Sequence, residues 1–416
     1  MPWREDLPVL LSHFRELYTL ADEGEKSVIK DGAVYIKQGK VHLVGTTEEV
    51  YSLLPDEPHQ EIEVKGYTAV PGFIDCHTHL PFAGTREGEF QKRLRGISYA
   101  EIQREGGGIY YTARLTQQMS ERTLTHHTLQ WLKKILLSGT TTVEMKTGYG
   151  IYPEKELHFL GVIEKIAWRS PVDIVPTLLA HLPPPERNRE ELVKQWRKIL
   201  LEAVGRARFV DVFCDPSAFT LEEARTILSR AKELGFGVKI HAEEFGNNGA
   251  TQLAARLKAI SADHLLYATR DDIRALKHSG TVAVVLPMTN LSVHPEKKPP
   301  IHWILEEGVP LAIATDFNPG TSFCYSLFAT ASFAIPFYRL PAEIVLQAIT
   351  KNSARALGLS DRGFLAPGSL ADLVILDFPS LNFLGYSQGV DPIRAVIRKG
   401  MLYFRRKNLR IKYKIQ

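Results

Sequence analysis

Two histidines, His77 and His79, follow the run Val70-Pro71-Gly72-Phe73-Ile74-Asp75-Cys76. In an extended segment residues i and i+2 point to the same face, so both imidazoles can reach one point at the end of the strand. That geometry grips a metal ion. A strand that opens on Val70-Pro71-Gly72 and runs into such a pair reads as the first strand of a barrel, with its chemistry at the C-terminal end. Surface and turn histidines are common, so the pair needs further ligands at the ends of later strands.

Eight apolar, β-branched-rich runs alternate with helical patterns, at about 69–75, 140–145, 172–178, 209–213, 238–241, 259–263, 282–286 and 310–315. Helices are expected at 154–167, 189–203, 221–234 and 270–278, the third with Thr220 as N-cap and Gly235 just past its end. Eight alternations in a stretch of about 250 residues favour a closed parallel (β/α)8 barrel. A doubly wound sheet would carry a glycine-rich phosphate loop after its first strand, and none is present. Gly106-Gly107-Gly108 follows a polar helical stretch instead and reads as a flexible segment over the barrel mouth.

Short β segments flank the barrel pattern. Strands are expected at 32–36 and 40–44 around the turn Gln38-Gly39, then a helix at 47–54 and a strand near 61–64, with matching segments at 371–378 and 395–404. The two ends are expected to meet in one small β-sandwich, with 1–68 and 361–416 contributing its parts and 69–360 forming the barrel between them.

The 416 residues carry a net charge of +4, too little to argue for nucleic acid. The cations crowded near the end (Arg405, Arg406, Lys407, Arg410, Lys412, Lys414) read as a solvated terminal strand. Arg4, Glu5, Asp6, His13, Arg15 and Glu16 interrupt the N-terminal apolar residues, which argues against a signal peptide or membrane span. Three scattered cysteines, Cys76, Cys214 and Cys324, point to a reducing compartment, the cytoplasm by default.

The later strands end on His241 (followed by Glu243 and Glu244), on Asp263-His264 and on Asp316. Singly, His241 or His264 could be a satisfied core histidine and Asp316 a cap. Their joint placement at strand ends is what a barrel enzyme requires. With these residues in place the chain resembles the amidohydrolase superfamily. The resemblance implies one divalent metal, Zn²⁺ first and Fe²⁺ or Fe³⁺ second, held by His77, His79, His241 and Asp316 beside His264.

Longer stretches narrow it: His79-Leu80-Pro81-Phe82-Ala83-Gly84-Thr85-Arg86, Glu144-Met145-Lys146-Thr147-Gly148-Tyr149-Gly150, His241-Ala242-Glu243-Glu244-Phe245-Gly246-Asn247 and Thr315-Asp316-Phe317-Asn318-Pro319-Gly320. These are similar to the branch that opens 4-imidazolone-5-propanoate to N-formimino-L-glutamate in histidine degradation. The similarity implies Arg86, Tyr149, His181, Glu244, Asn318 and Gly320 as substrate-binding residues, and Glu244, His264 and Asp316 as catalytic ones. Glu244 would be the general acid-base, with Glu243 as the competing assignment. The partner is a small molecule, and a homodimer is common among such barrels. The chain departs from the branch pattern at Thr177-Leu178-Leu179-Ala180-His181, which lacks a glycine, and at Met288. Two other enzymatic readings stay open: an aminohydrolase acting on a heterocycle such as guanine, and a hydantoinase-like binuclear site in which Lys146 is carboxylated. A barrel that binds a metal or ligand without turnover is the third.

Overall fold

The run 69–75, expected as one strand, is two. Thr68–Pro71 pairs within a sheet built from the chain ends, and Phe73–Asp75 opens the barrel. Gly72 makes the break: a Cβ there would stand 2.6 Å from Thr141 Oγ1, and its N–H donates to Asp372 O at 2.8 Å. No larger residue fits that crossing.

The structure is a computed structural model that describes residues 7–21, 27–405 and 412–415. Its N-terminal strands are β1 (Val9–Tyr18), β2 (Val28–Lys37), β3 (Lys40–Thr46), β4 (Gln60–Glu63) and β5 (Thr68–Pro71). The barrel strands are β6 (Phe73–Asp75), β7 (Thr140–Lys146), β8 (Asp173–Ala180), β9 (Phe209–Cys214), β10 (Gly237–Ala242), β11 (Ser261–His264), β12 (Val282–Val285) and β13 (Leu311–Ile313). The chain closes with β14 (Leu373–Leu376), β15 (Ile393–Arg398), β16 (Met401–Arg405) and β17 (Lys412–Ile415).

The terminal sheet forks at β1, which the sequence did not announce. Its first half pairs with β4, its second half with β5, and its other edge with β2. β5 continues into β14, β15 and β16, and β4 into β17. Both faces of β1 are covered: Val9, Leu11, Phe14 and Leu17 pack in one apolar cluster and Leu10 in another with Tyr35 and Val50. A strand buried on two sides loses its polar alternation. Arg4, Glu5, Asp6, Arg406, Lys407 and Arg410 lie outside the described residues. Among the described residues no helix is long and apolar enough to cross a membrane.

The eight barrel strands are parallel and follow chain order from β6 to β13. The caps read from sequence are in place: Thr220 accepts from Glu223 N within a reciprocal capping box, and Gly235 has φ +87°. The cylinder closes through its loops: Thr78 bridges Phe317, His79 N–H donates to Phe317 O at 3.1 Å, and Asp316 N–H donates to His77 O at 3.0 Å. The seam that closes the barrel is therefore the seam that brings two histidines to an aspartate.

The barrel floor is tied to the terminal sheet by Asp173 on β8, whose carboxylate meets Arg362 Nη1 at 2.6 Å, Lys399 Nζ at 2.8 Å and Arg398. Three cations share this part-buried carboxylate. Asp173→Ala leaves them without it and is expected to cost roughly 2–3 kcal/mol in urea unfolding, with turnover per folded molecule unchanged.

Candidate metal centre and active site

His77 and His79 leave β6 on one face, and His241 reaches the same point from β10. The His77 and His79 Nε2 atoms are 3.3 Å apart, and those of His79 and His241 3.5 Å. Asp316 Oδ1 completes the group, 3.1 Å from His79 Nε2 and 3.5 Å from His77 Nε2. His77 Nδ1 donates to Asp263 Oδ2 at 2.6 Å and His241 Nδ1 to Asp211 Oδ1 at 3.1 Å. Carboxylates only accept, so both Nδ1 atoms carry the proton and both Nε2 atoms present bare lone pairs. Burial holds His77 well below the usual histidine range and lowers His79, so neither imidazole gains charge to relieve the crowding. Asp316 Oδ1 is buried and has no hydrogen-bond partner. Donors about 2.0–2.1 Å from a tetrahedral cation stand about 3.4 Å apart, close to the 3.1–3.5 Å found from His79 to His77, His241 and Asp316 and from His77 to Asp316. The donor set fits a divalent cation of the zinc or iron type.

A buried lattice of charge fixes these donors. Lys146 Nζ lies 2.7 Å from Asp211 Oδ2 and 3.0 Å from Glu144 Oε2, and Lys239 Nζ lies 2.7 Å from Glu144 Oε2 and 3.6 Å from Asp263 Oδ2. Burial acts to lower the Lys146 pKa, but the charges of Asp211 and Glu144 outweigh it and hold it above the ordinary lysine value. Carboxylation needs a neutral amine, so this lysine is held in the wrong state to bridge two metals. Asp211, Lys239 and Thr289, whose hydroxyl donates to Asp316 Oδ2 at 2.5 Å, were given no role from the sequence, and Asp263 only its place at the end of a strand. The available signal was a charge every second residue inside an apolar strand, as in Glu144-x-Lys146 and Lys239-x-His241.

Glu244 and Glu243 part company at the end of β10. Glu243, at φ +51°, accepts from Thr251 N at 2.9 Å and from the Thr251 hydroxyl, capping the helix Ala250–Arg256 from its side. Glu244 lines the cavity over the histidines, with Oε2 3.6 Å from His264 Nε2. Burial pushes its carboxyl well above the usual range, reinforced by Asp316 and Asp215. Burial likewise lowers His264 to about 3, which keeps it neutral. His264 and Asp316 also have positive φ, +81° and +52°. Left-handed non-glycine residues cost of order 1–3 kcal/mol each and persist only where surrounding packing dictates them. Here they turn each strand so that its side chain faces the mouth.

Arg86, Tyr149, His181 and Asn318 line the same cavity. His181 stacks on His79 with centroids 5.0 Å apart, and Tyr149 is 5.8 Å from His181. Asn318 was expected to offer polar groups to a ligand. It lines the cavity, and its amide also holds the 316–321 turn, donating to Asp316 O at 2.6 Å and accepting from Gly320 N and Thr321 N, each at 2.8 Å. Gly320 makes room for Arg86: a Cβ there would lie 1.6 Å from Arg86 Nη2. Gly320→Ala must displace the guanidinium, and we expect KM to rise tenfold or more with kcat within about threefold. Gly106–Gly108 leads into the helix Gly108–Gln118, with Gly108 N donating to Glu89 Oε1 at 2.9 Å. Met288 lines a separate cleft and is not among the residues that line the cavity over the histidines.

An eight-stranded parallel barrel, a terminal sheet and a histidine-aspartate cluster at the C-terminal rim define a class. The family model described as "Amidohydrolase family" matches residues 68–402, and the chain belongs to that family. Solved structures share the fold: a variant of atrazine chlorohydrolase from Arthrobacter aurescens, crystallised with zinc and atraton, superposes with TM-score 0.73 at 16% identity over 95% of each chain. Within the family the chain falls among the imidazolonepropionases. It is 41% identical to that of Pyrobaculum arsenaticum over 90% of this chain and 93% of that relative, and 38% identical to that of Paracoccus denitrificans over 94% and 99%.

Proposed function

We propose that the chain hydrolyses 4-imidazolone-5-propanoate to N-formimino-L-glutamate, the activity its relatives' name describes. One observation carries the reading: a single cavity is lined both by His79, His241 and Asp316 and by the Arg86 guanidinium, so an amide ring and a carboxylate can be held together. A heterocycle without a carboxylate has no use for Arg86.

One divalent cation, zinc or iron, held by His77, His79, His241 and Asp316 would polarise the ring carbonyl and lower the pKa of water to about 7. Arg86 binds the propionate, and Tyr149 and His181 form the wall beside it. Glu244 takes a proton from the attacking water and passes it to the departing ring nitrogen, a transfer its raised pKa favours. Asp316, with Oδ2 fixed by Thr289, is the second proton acceptor. His264, neutral through burial, donates its N–H to the carbonyl oxygen as negative charge gathers there. The bond from water oxygen to the carbonyl carbon forms and the ring C–N bond breaks. The carbonyl carbon, still bonded to its ring neighbour, becomes a carboxylate, and the freed nitrogen becomes the terminal nitrogen of the formimino group.

The test is incubation of purified, metal-loaded protein with imidazolone propanoate. Loss of the ring absorbance with stoichiometric formiminoglutamate is the expected result. Release of ammonia from guanine with no action on the imidazolone would overturn the reading.

A further inference from the structure

The helix Pro153–Ala167 buries Glu156 in its first turn, outside the cavity and fully shielded from solvent. Its carboxylate spans the preceding turn: Oε2 accepts from Gly148 N and Oε1 from Ile151 N, each at 2.6 Å. That turn is unusual. Gly148 has φ +127°, and Ile151 has φ +67°, a region β-branched residues avoid. At Gly150 a Cβ would lie 2.7 Å from Glu156 N, so the turn is pressed against its own clamp.

Two residues of the cavity depend on this turn. Tyr149 lies within it, and Gly148 O accepts from His181 Nδ1 at 3.2 Å. A carbonyl can only accept, so His181 carries its proton on Nδ1. In the neutral ring with its proton on Nδ1, Nε2 is the acceptor. A ring N–H of a bound cyclic amide is the group such an acceptor suits.

We propose that Glu156 is a positioning residue for the reaction. By holding Gly148 and Ile151 it sets Tyr149 against the cavity and fixes the His181 tautomer that presents Nε2 to the ligand. This rests on the cavity being the substrate site, as argued above. A purely structural Glu156 would stabilise the helix start and leave the histidine alone.

The experiment compares Glu156→Gln with the unaltered full chain, both zinc-loaded, by long-range ¹H–¹⁵N spectroscopy of the His181 ring and by kinetics on imidazolone propanoate. The glutamine keeps the shape but can accept from only one of the two N–H groups. The unaltered chain is expected to show His181 protonated at Nδ1, and the variant a mixture of tautomers. The variant should lose tenfold or more in kcat/KM, and less than threefold on a Tyr149→Phe, His181→Ala background, where there is nothing left to position. Protonation at Nε2 in the unaltered chain, an unchanged tautomer in the variant, or equal losses on both backgrounds overturns the proposal. If the variant does not fold, the spectrum of the unaltered chain decides. If imidazolone propanoate is not turned over, the functional reading fails while the tautomer comparison still tests the role of Glu156.

Discussion

Exchange of His241 for alanine is expected to abolish turnover and to leave the chain unable to hold a divalent cation. His241 supplies one of three imidazole nitrogens that converge within 4.8 Å, and no other described histidine stands ready to replace it in that group. The substitution also removes the Nδ1–H that Asp211 accepts, but Asp211 keeps the Lys146 ammonium at 2.7 Å. The buried carboxylate therefore stays paired and the fold survives, so lost activity reports the centre and not the barrel. Metal content by atomic emission after dialysis, read beside circular dichroism, checks it: one equivalent of metal on a folded variant would remove His241 from the ligand set. Asp211→Asn gives the graded comparison. It keeps the ligand but weakens the acceptor of its Nδ1–H and removes a charge beside Lys146, for which a 10- to 100-fold weakening of metal affinity is expected.

That gradation follows how the centre is written in the chain. The proposed ligands are legible because they fall at or just past the ends of apolar strand runs, and strand periodicity says which way such a residue points. The residues that aim the ligands are harder to find. His77 meets Asp263 across 186 positions and His241 meets Asp211 across 30, pairings that exist only once the barrel closes. Lys146 and Lys239 read as breaks in apolar strands, although each occupies the inward face of its strand with Glu144 between them. The hidden strand Val9–Tyr18 failed for a related reason: burial on both faces erases the alternation that marks a strand at the surface. Asn318 and Gly320 were legible as site residues, but their work, a held turn and a space for Arg86, is steric and needs coordinates.

Glu244→Gln is expected to keep its metal and lose a factor of about 10² or more in kcat, the scale of a general acid-base group. Glu244 is not among the three converging imidazoles, nor is it the carboxylate proposed to join them, so the cation has no reason to leave. The glutamine has nearly the same volume and stands in the same place beside His264, so binding of the ring persists. On the proposed mechanism, what disappears is the ability to accept a proton from water and return it to the departing nitrogen. The size of the loss follows from burial: a carboxyl driven well above its usual range is a stronger base once ionised than one in water, and an amide cannot take its part. Glu243→Gln separates chemistry from architecture at the adjacent position. Its carboxylate serves Thr251, so that exchange should lower stability and leave kcat within about threefold, in keeping with a lost capping interaction of about 1 kcal/mol. Steady-state kinetics on metal-replete proteins distinguishes the two glutamates, and a Glu244→Gln enzyme that turns over within threefold of the parent would move the proton transfer to Asp316 or to solvent.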